Sequence, residues 1–151
     1  SAAMLSTAQA RLREMDTAEL RCGELESLPI EDEELDLAIL ALVLHYIVDP
    51  RAVLSEVMRT LAPGGRVLVL DMRRHDRGVT FSKNMGHVWP GFDFEQLEAW
   101  LTDVRFSSIR FQALTPDPDP SAPLLILATA RARLLLFLTP LVSAQPPTHT
   151  N

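Results

Sequence analysis

The chain has 151 residues, a net charge of −6 and a single cysteine, Cys22. This length is enough for one domain with its own core. The acidic balance disfavours direct binding to a phosphate backbone, and one cysteine excludes an internal disulfide and a cysteine-based zinc site. The longest late apolar run, residues 134–138, is far shorter than the ~20 residues that a membrane-spanning helix needs. We therefore predict a globular domain without nucleic-acid or membrane partners, in a reducing compartment such as the cytoplasm.

The first part of the chain predicts a helix followed by two strands. Apolar residues recur at helical spacing from Met4 to Met15. Residues 20–23 are predicted to form a short strand, and residues 24–34 a solvated loop with an acidic run. Residues 35–44 are almost wholly apolar, which is typical of a strand buried on both faces of a parallel sheet.

The middle of the chain predicts a helix and a further strand. An aspartate followed by proline at residues 49–50 is typical of a helix start, and an apolar stripe at helical spacing follows it. Pro-Gly-Gly at residues 63–65 ends this predicted helix, and residues 66–72 form another apolar strand. Strand, helix and strand together predict a βαβ unit, whose strands are normally parallel.

The last elements are a helix and a pair of strands. Asp93 and Gln96 are predicted to form a capping box at the start of that helix. Residues 107–114 alternate in polarity, and residues 124–130 form a final buried strand. Since the loop between these strands is too rich in proline and aspartate for a helix, we expect the two strands to pair antiparallel.

Five short motifs follow one another along the chain. They are Ser-Ala-Ala-Met-Leu at 1–5, Gly-Glu-Leu-Glu-Ser-Leu-Pro at 23–29, Leu-Val-Leu-His-Tyr at 42–46, Leu-Ala-Pro-Gly-Gly-Arg at 61–66, followed by Asp71, and Met-Gly-His-Val-Trp at 85–89. In this order and spacing they resemble the class I S-adenosylmethionine-dependent methyltransferases that include ubiquinone and menaquinone biosynthesis enzymes. The chain is also similar to a bacterial subgroup in which such a domain is joined to an ArsR-type DNA-binding repressor domain.

The resemblance covers residues 1–130 and implies the C-terminal two-thirds of a Rossmann-like α/β sheet with an antiparallel last strand. The family's first strand, its Gly-rich loop and its ribose-binding acid would all precede Ser1. We therefore expect a longer parent chain, and residues 131–151 are an apolar and then Pro/Thr-rich tail that the resemblance does not explain. Where the family has Ala-Gly-Phe after the last helix, this chain has Val-Arg-Phe at residues 104–106, so that Arg105 replaces the glycine. We expect that helix end to be rearranged, because arginine tolerates a left-handed backbone less well than glycine.

The resemblance also implies S-adenosylmethionine as the cofactor, bound beyond the carboxyl ends of the strands. Met4 would lie against the adenine face, and the turn after the family's third strand, residues 23–25, would contact the adenine edge. The end of the family's fourth strand, residues 42–43, would pass close to the cofactor. Judged by pattern alone, Met4, Leu42 and Val43 are core side chains, and Glu24 is a solvated acid. For these residues both the cofactor-binding role and the structural role stay open. The cofactor-binding candidates are Met4, Gly23, Glu24, Leu25, Leu42 and Val43.

The candidates for the acceptor side are three histidines and a tryptophan. His45 directly follows the buried strand, where it would act as a general base or position the acceptor; the alternative is a histidine that only hydrogen-bonds a neighbouring loop. The resemblance places His75, His87 and Trp89 in the substrate pocket, although packing is the commoner role for a tryptophan. The spacing of the histidines does not favour a metal site, and we predict none.

The function that these features predict is methyl transfer to a small-molecule acceptor whose reacting atom stays open. The alternatives are a non-catalytic, methyltransferase-like effector domain of a transcriptional regulator and an inactive fragment. Sequence upstream of Ser1 would discriminate between them. Because the family's central strand would lie beside residues 35–44, we also expect an unpaired strand edge, marginal stability and self-association.

Overall fold

The computed structural model describes residues 2–74, 86–115 and 122–133. These residues form three α-helices, four strands and one short 3-10 helix, which follows β1. In chain order they are α1 (Ala2–Leu12), β1 (Leu35–Ala41), the 3-10 helix (Leu44–Tyr46), α2 (Pro50–Thr60), β2 (Leu61–Met72), α3 (Phe94–Asp103), β3 (Ser107–Ala113) and β4 (Leu125–Arg131). The tail from residue 134 onward lies outside the described residues, so its predicted character stays a prediction.

The four strands form one mixed sheet in the order β1-β2-β4-β3. β1 and β2 are parallel, with Ile39 opposite Leu68. β4 runs antiparallel to β2 on one side and to β3 on the other. The predicted βαβ unit and the predicted antiparallel closing pair are therefore both confirmed. The fold class is α/β, as expected.

Helices α2 and α3 cover one face of this sheet. Alternate strand residues point to that face and are buried, because the side chains of a strand change face at every residue. The two helices contribute apolar stripes, so that sheet and helices share one core. Its buried members include Leu40, Val53, Leu54, Val57, Val67, Val69, Leu97, Leu101, Ile126 and Ala128.

The opposite face of the sheet is open among the described residues. Leu37 and Ile39 of β1 lie on it, and Ile39 is 60% exposed. A groove of about 870 Å³ runs along this face, lined in part by Leu37, Leu68 and Thr129. The prediction that residues 35–44 are buried on both faces is wrong, because no described element covers this face and β1 lies at the edge of the sheet.

Several predicted boundaries differ from the observed ones. Residues 20–23 form no strand, since the chain there meets no neighbouring strand and only Glu24 and Ser27 form an isolated bridge. Helix α2 ends at Thr60, before the Pro-Gly-Gly sequence, and β2 already begins at Leu61 with an irregular register against β1. Helix α1 ends before Met15, which is exposed.

The two predicted helix starts have different outcomes. At α2 the prediction is confirmed, because Asp49 Oδ1 accepts hydrogen bonds from the backbone N–H groups of Arg51 and Ala52 at 3.1 and 3.2 Å. At α3 the capping box is wrong. The Asp93 side chain caps no backbone group and instead pairs with Arg74 Nε at 2.6 Å, while Gln96 Oε1 accepts from Arg74 Nη2 at 3.1 Å. One arginine competes successfully for both side chains.

The end of α3 is not rearranged, contrary to the expectation from its sequence. Arg105 adopts a left-handed backbone with φ of 71°. The N–H of Phe106 donates to the carbonyl of Leu101 at 2.9 Å, which is the closing hydrogen bond of a Schellman motif. The chain therefore keeps the glycine-type helix end and accepts the steric cost of an arginine there.

Replacing Arg105 with glycine should raise the free energy of unfolding by about 0.5–1 kcal/mol. A left-handed non-glycine residue costs ~1–2 kcal/mol, and the greater freedom of glycine in the unfolded chain offsets part of the gain. Urea denaturation of the two proteins measures the difference. Arg110→Gly, at an exposed position inside β3, is the control and should destabilise the chain. An Arg105→Gly variant that is less stable than the parent would show that the arginine side chain makes contacts worth more than the strain.

Candidate functional site

The candidate site lies at the carboxyl edge of β1 and β2. The chain leaves β1 through Leu42, whose φ is 54°, and then forms the 3-10 helix Leu44–Tyr46. Asp71 stands one residue before the end of β2. Since parallel strands end at the same edge of a sheet, these segments meet there.

A buried pair of side chains joins the two strand ends. His45 Nδ1 lies 2.7 Å from Asp71 Oδ1, and His45 is only 3% exposed. Asp71 Oδ2 accepts a hydrogen bond from the backbone N–H of Leu44 at 3.0 Å, and Asp71 Oδ1 accepts one from the N–H of Met72 at 2.7 Å. The carboxylate is thus fully engaged by three partners, which satisfies the requirement that a buried charge be hydrogen-bonded.

The segment after the gap in the described residues closes over this edge through backbone contacts. The carbonyl of His45 accepts hydrogen bonds from the N–H groups of Val88 and Trp89, at 2.9 and 3.1 Å. Trp89 Nε1 donates to the carbonyl of Ile47 at 2.8 Å. His45 is therefore fixed through both its side chain and its main chain.

Two further rings, those of Tyr46 and His87, lie beside His45 of the buried pair. The ring centroids of His45 and Tyr46 are 4.1 Å apart, those of His45 and His87 are 4.6 Å apart, and those of Tyr46 and His87 are 5.1 Å apart. Tyr46 is 45% exposed, so it forms the solvent-facing part of the cluster. The structure brings together His45 and His87, as the sequence predicted for the acceptor side, but His45 is buried and does not stand open at a pocket edge.

The remaining acceptor-side candidates have different outcomes. Trp89 contacts Phe92 and Trp100 at centroid distances of 6.0 and 5.4 Å, which supports its interpretation as a packing residue. His75 lies outside the described residues. Within the described ranges no group of three or more His, Cys, Asp or Glu side chains is arranged to hold a metal ion.

The six cofactor-binding candidates do not share one environment. Leu25 and Val43 are half-buried and pack against the core. Leu42 is 44% exposed at the strand end, and Met4 is 73% exposed on α1. The alternative interpretation of Met4 and Leu42 as core side chains is therefore wrong. Gly23 and Glu24 are exposed, and the role of all six toward a cofactor stays a prediction.

Gly23 has a structural reason to be glycine. A Cβ built there would lie 2.5 Å from Pro29 Cδ, closer than real Cβ contacts. The turn that carries Glu24 and Leu25 therefore needs glycine at its start, whatever it binds.

An arginine on α2 holds the loop of residues 24–34, which precedes β1, in place. Arg59 forms two hydrogen bonds to Glu56, at 2.7 and 2.9 Å, and an ion pair with Asp32. Arg59 Nη2 also donates to the carbonyl of Ile30 at 2.8 Å, and Glu56 accepts from the N–H of Leu28 at 2.8 Å. These hydrogen bonds, those from Arg59 foremost, hold the pKa of Glu56 below its ordinary value. The predicted solvated loop is exposed, but it is tied to the helix.

Two residues of the site were not among the candidates from the sequence. Asp71 was noted only as part of a motif, and Tyr46 only as the residue after a histidine. The one signal for Asp71 was an acid inside an otherwise apolar strand, since such a residue usually has a specific partner when buried.

Comparisons with known proteins agree with this architecture. Residues 1–69 match the family described as a methyltransferase domain. The chain is 25% identical to demethylmenaquinone methyltransferase of Clavibacter sepedonicus, over 76% of this chain and 57% of the relative. It is 38% identical to malonyl-[acyl-carrier protein] O-methyltransferase of Alcanivorax borkumensis, over 46% of this chain and 23% of the relative. The chain thus spans less than two thirds of the length of these relatives.

A solved structure shows the same fold. A SAM-dependent methyltransferase from Methanosarcina mazei matches 89% of this chain and 79% of its own length, with a TM-score of 0.71 and 20% sequence identity. The described residues therefore have the Rossmann-like fold of this methyltransferase, and residues 1–69 match a methyltransferase domain. The chain is similar to the class I S-adenosylmethionine-dependent methyltransferases, and S-adenosylmethionine is the cofactor that this similarity implies. None of these three proteins is named as an ArsR-type regulator. The similarity to the subgroup that carries an ArsR-type repressor domain therefore stays a prediction.

Proposed function

We propose that this chain is part of an enzyme that transfers a methyl group from S-adenosylmethionine to a small-molecule acceptor. The observation that carries the proposal is the match of residues 1–69 to the methyltransferase domain, on a sheet of the corresponding fold. The names of the relatives from Clavibacter sepedonicus and Alcanivorax borkumensis support methyl transfer to small or carrier-bound acceptors. The working protein is a longer parent chain in the cytoplasm, with no nucleic-acid or membrane partner for this segment. No helix among the described residues is long and apolar enough to cross a bilayer.

The carboxyl edge of the sheet offers the surfaces that such a reaction needs. Bound S-adenosylmethionine supplies a methyl group that its sulfonium already activates, so the protein mainly aligns the reactants and excludes water. Leu42 presents an exposed apolar side chain next to the half-buried Val43, a surface suited to an adenosyl group. Glu24 is an exposed carboxylate that suits hydroxyl or amino donors of the cofactor. Tyr46 and His87 form a pair of contacting rings, and in this proposal that pair lines the acceptor side.

Isothermal titration calorimetry with S-adenosylmethionine tests the proposal. The parent chain should bind the cofactor with micromolar affinity, and residues 1–151 alone at least about tenfold more weakly. The physical reason is that a Gly-rich loop and a ribose-binding acid, which we expect upstream, provide the close backbone approach and the sugar contacts. Absence of binding by the parent chain would reject the enzymatic function and leave the non-catalytic effector domain. Micromolar binding by residues 1–151 alone would show that the upstream loop matters less than expected.

A pair of variants shows whether the carboxyl edge is the binding surface. Leu42→Asn in the parent chain should weaken cofactor binding, because it removes apolar surface while asparagine tolerates the left-handed backbone at that position. Leu37→Asn is the matched control, since Leu37 is similarly exposed but belongs to the groove on the open face of the sheet. Equal effects of the two variants would contradict a site at the strand ends.

A further inference from the structure

The hydrogen bonds of Asp71 fix which atom of His45 carries a proton. Two of the three partners of Asp71 are the backbone N–H groups of Leu44 and Met72, which can only donate. Both carboxylate oxygens therefore act as acceptors. The third partner, His45 Nδ1 at 2.7 Å, is then the donor of the remaining hydrogen bond. In a neutral imidazole this leaves Nε2 without a proton and able to accept one.

The orientation of the His45 ring is fixed as firmly as its proton. The Nδ1 side is held by Asp71, and the carbonyl of the same residue is held by the N–H groups of Val88 and Trp89. Tyr46 and His87 contact the ring. The hydrogen bond from the Leu44 N–H to Asp71 already connects the ends of β1 and β2. The additional contacts that fix the His45 ring are therefore not needed to join the two strands.

We infer that Asp71 is a positioning residue, which holds His45 as the tautomer protonated on Nδ1 so that Nε2 takes a proton from the methyl acceptor. The inference rests on the proposed function and deepens it, because it commits the acceptor to a compound that loses a proton on methylation, for which we take a hydroxyl compound. A base is useful only where the acceptor has a proton to lose. A carboxylate acceptor is already ionised at neutral pH, gains nothing from Nε2 and is repelled by the Asp71 charge.

A lone pair of the acceptor oxygen forms the new bond to the methyl carbon, and the bond between that carbon and the donor sulfur breaks with its electron pair going to sulfur. The hydroxyl proton passes to His45 Nε2 and then to solvent. Asp71 stays ionised throughout and stabilises the imidazolium that forms. Tyr46, which is half exposed and contacts the His45 ring, marks the side from which the acceptor approaches.

The tautomer is measured directly by ¹⁵N NMR of the imidazole nitrogens in residues 1–151. In the unmodified chain, His45 should carry its proton on Nδ1. In Asp71→Asn, the side-chain amide can donate to Nδ1, so the proton should move to Nε2 in most molecules. A proton on Nε2 in the unmodified chain would overturn the inference without any variant, and so would an Asp71→Asn chain that keeps the Nδ1 tautomer.

The consequence for turnover is measured in the parent chain with paired aryl hydroxyl and aryl carboxylate acceptors. Asp71→Asn should lower kcat for the hydroxyl acceptor about 100-fold or more, and change the Kd for S-adenosylmethionine less than about threefold. Asp36→Asn is the matched control, with the same charge change on an exposed residue near the start of β1, and should leave kcat unchanged. Equal losses of kcat and cofactor affinity would make Asp71 purely structural, and turnover of the carboxylate alone would overturn the acceptor class.

The two proposals fail in different ways. If the unmodified parent chain does not bind S-adenosylmethionine, the proposed function is wrong, while the NMR result still decides whether Asp71 sets the His45 tautomer. If the parent chain binds the cofactor and methylates a hydroxyl, but Asp71→Asn inverts the tautomer without lowering kcat, the function stands and the inference is wrong.

Discussion

Replacing Phe92 with alanine should destabilise the chain by about 3–5 kcal/mol, a large part of the ~5–15 kcal/mol that stabilises a typical domain. Phe92 is completely buried, and its ring contacts those of Trp89 and Trp100 at centroid distances of 6.0 and 5.6 Å. Its backbone also exchanges hydrogen bonds with the end of β2, through Met72 and Arg74. The truncated side chain would leave a cavity at the point where β2, α3 and the segment carrying Trp89 meet.

Urea denaturation followed by tryptophan fluorescence measures this loss. Phe111→Ala is the matched control, because the Phe111 ring is only half-buried and has a single aromatic neighbour, Phe94, among the described residues. That variant should lose clearly less stability, since less apolar surface returns to water. Equal losses in the two variants would mean that the cluster around Phe92 rearranges to fill the cavity.

The central part of the fold could be predicted from the sequence because its signals are local. The aspartate–proline start of α2 and its apolar stripe predict a helix without reference to the rest of the chain. The apolar run at 66–72 lies where β2 is found, and the helix-free connection before β4 predicts the antiparallel pair. In each case, residues close in sequence determine the structure that forms.

Three of the mistaken predictions concern features that depend on distant partners. Residues 20–23 have strand-like composition but no neighbouring strand, so they form none. The capping box at α3 is lost to Arg74, which lies 22 residues before Gln96. The His45–Asp71 pair depends on the relative position of two strand ends that lie 26 residues apart. Spacing along the chain therefore suggested a histidine at the site but not the carboxylate that orients it.

The exposed face and edge of the sheet have the largest consequence for the chain in solution. β1 pairs only with β2 among the described residues, so its outer edge presents unpaired backbone groups. Leu37 and Ile39 add exposed apolar side chains to that edge, and Leu68 continues the same face. Open apolar edges promote strand pairing between molecules. A net charge of −6 opposes association only weakly, because salt screens repulsion between surfaces beyond ~8–10 Å.

We therefore expect residues 1–151 to self-associate and Ile39→Lys to suppress this association. Lysine on an edge strand places a charge where a second strand would pair, and it removes the most exposed large apolar side chain of β1. The concentration at which the chain associates should rise at least about tenfold, which corresponds to ~1.4 kcal/mol. Light scattering across a concentration series gives the mass of the particles, to be compared with the 16.8 kDa of one chain.

Val48→Lys is the matched control for this experiment. Val48 is 80% exposed and, like isoleucine, β-branched. It lies between the 3-10 helix and α2, outside strand β1 and its unpaired edge. The control introduces the same charge and should leave association unchanged, whereas a general effect of charge would alter both variants alike. Thermal melting of each variant ensures that folded proteins are compared. An unmodified chain that stays a 16.8 kDa monomer with a cooperative transition at high temperature would show that the open edge and face are stable in water without a partner.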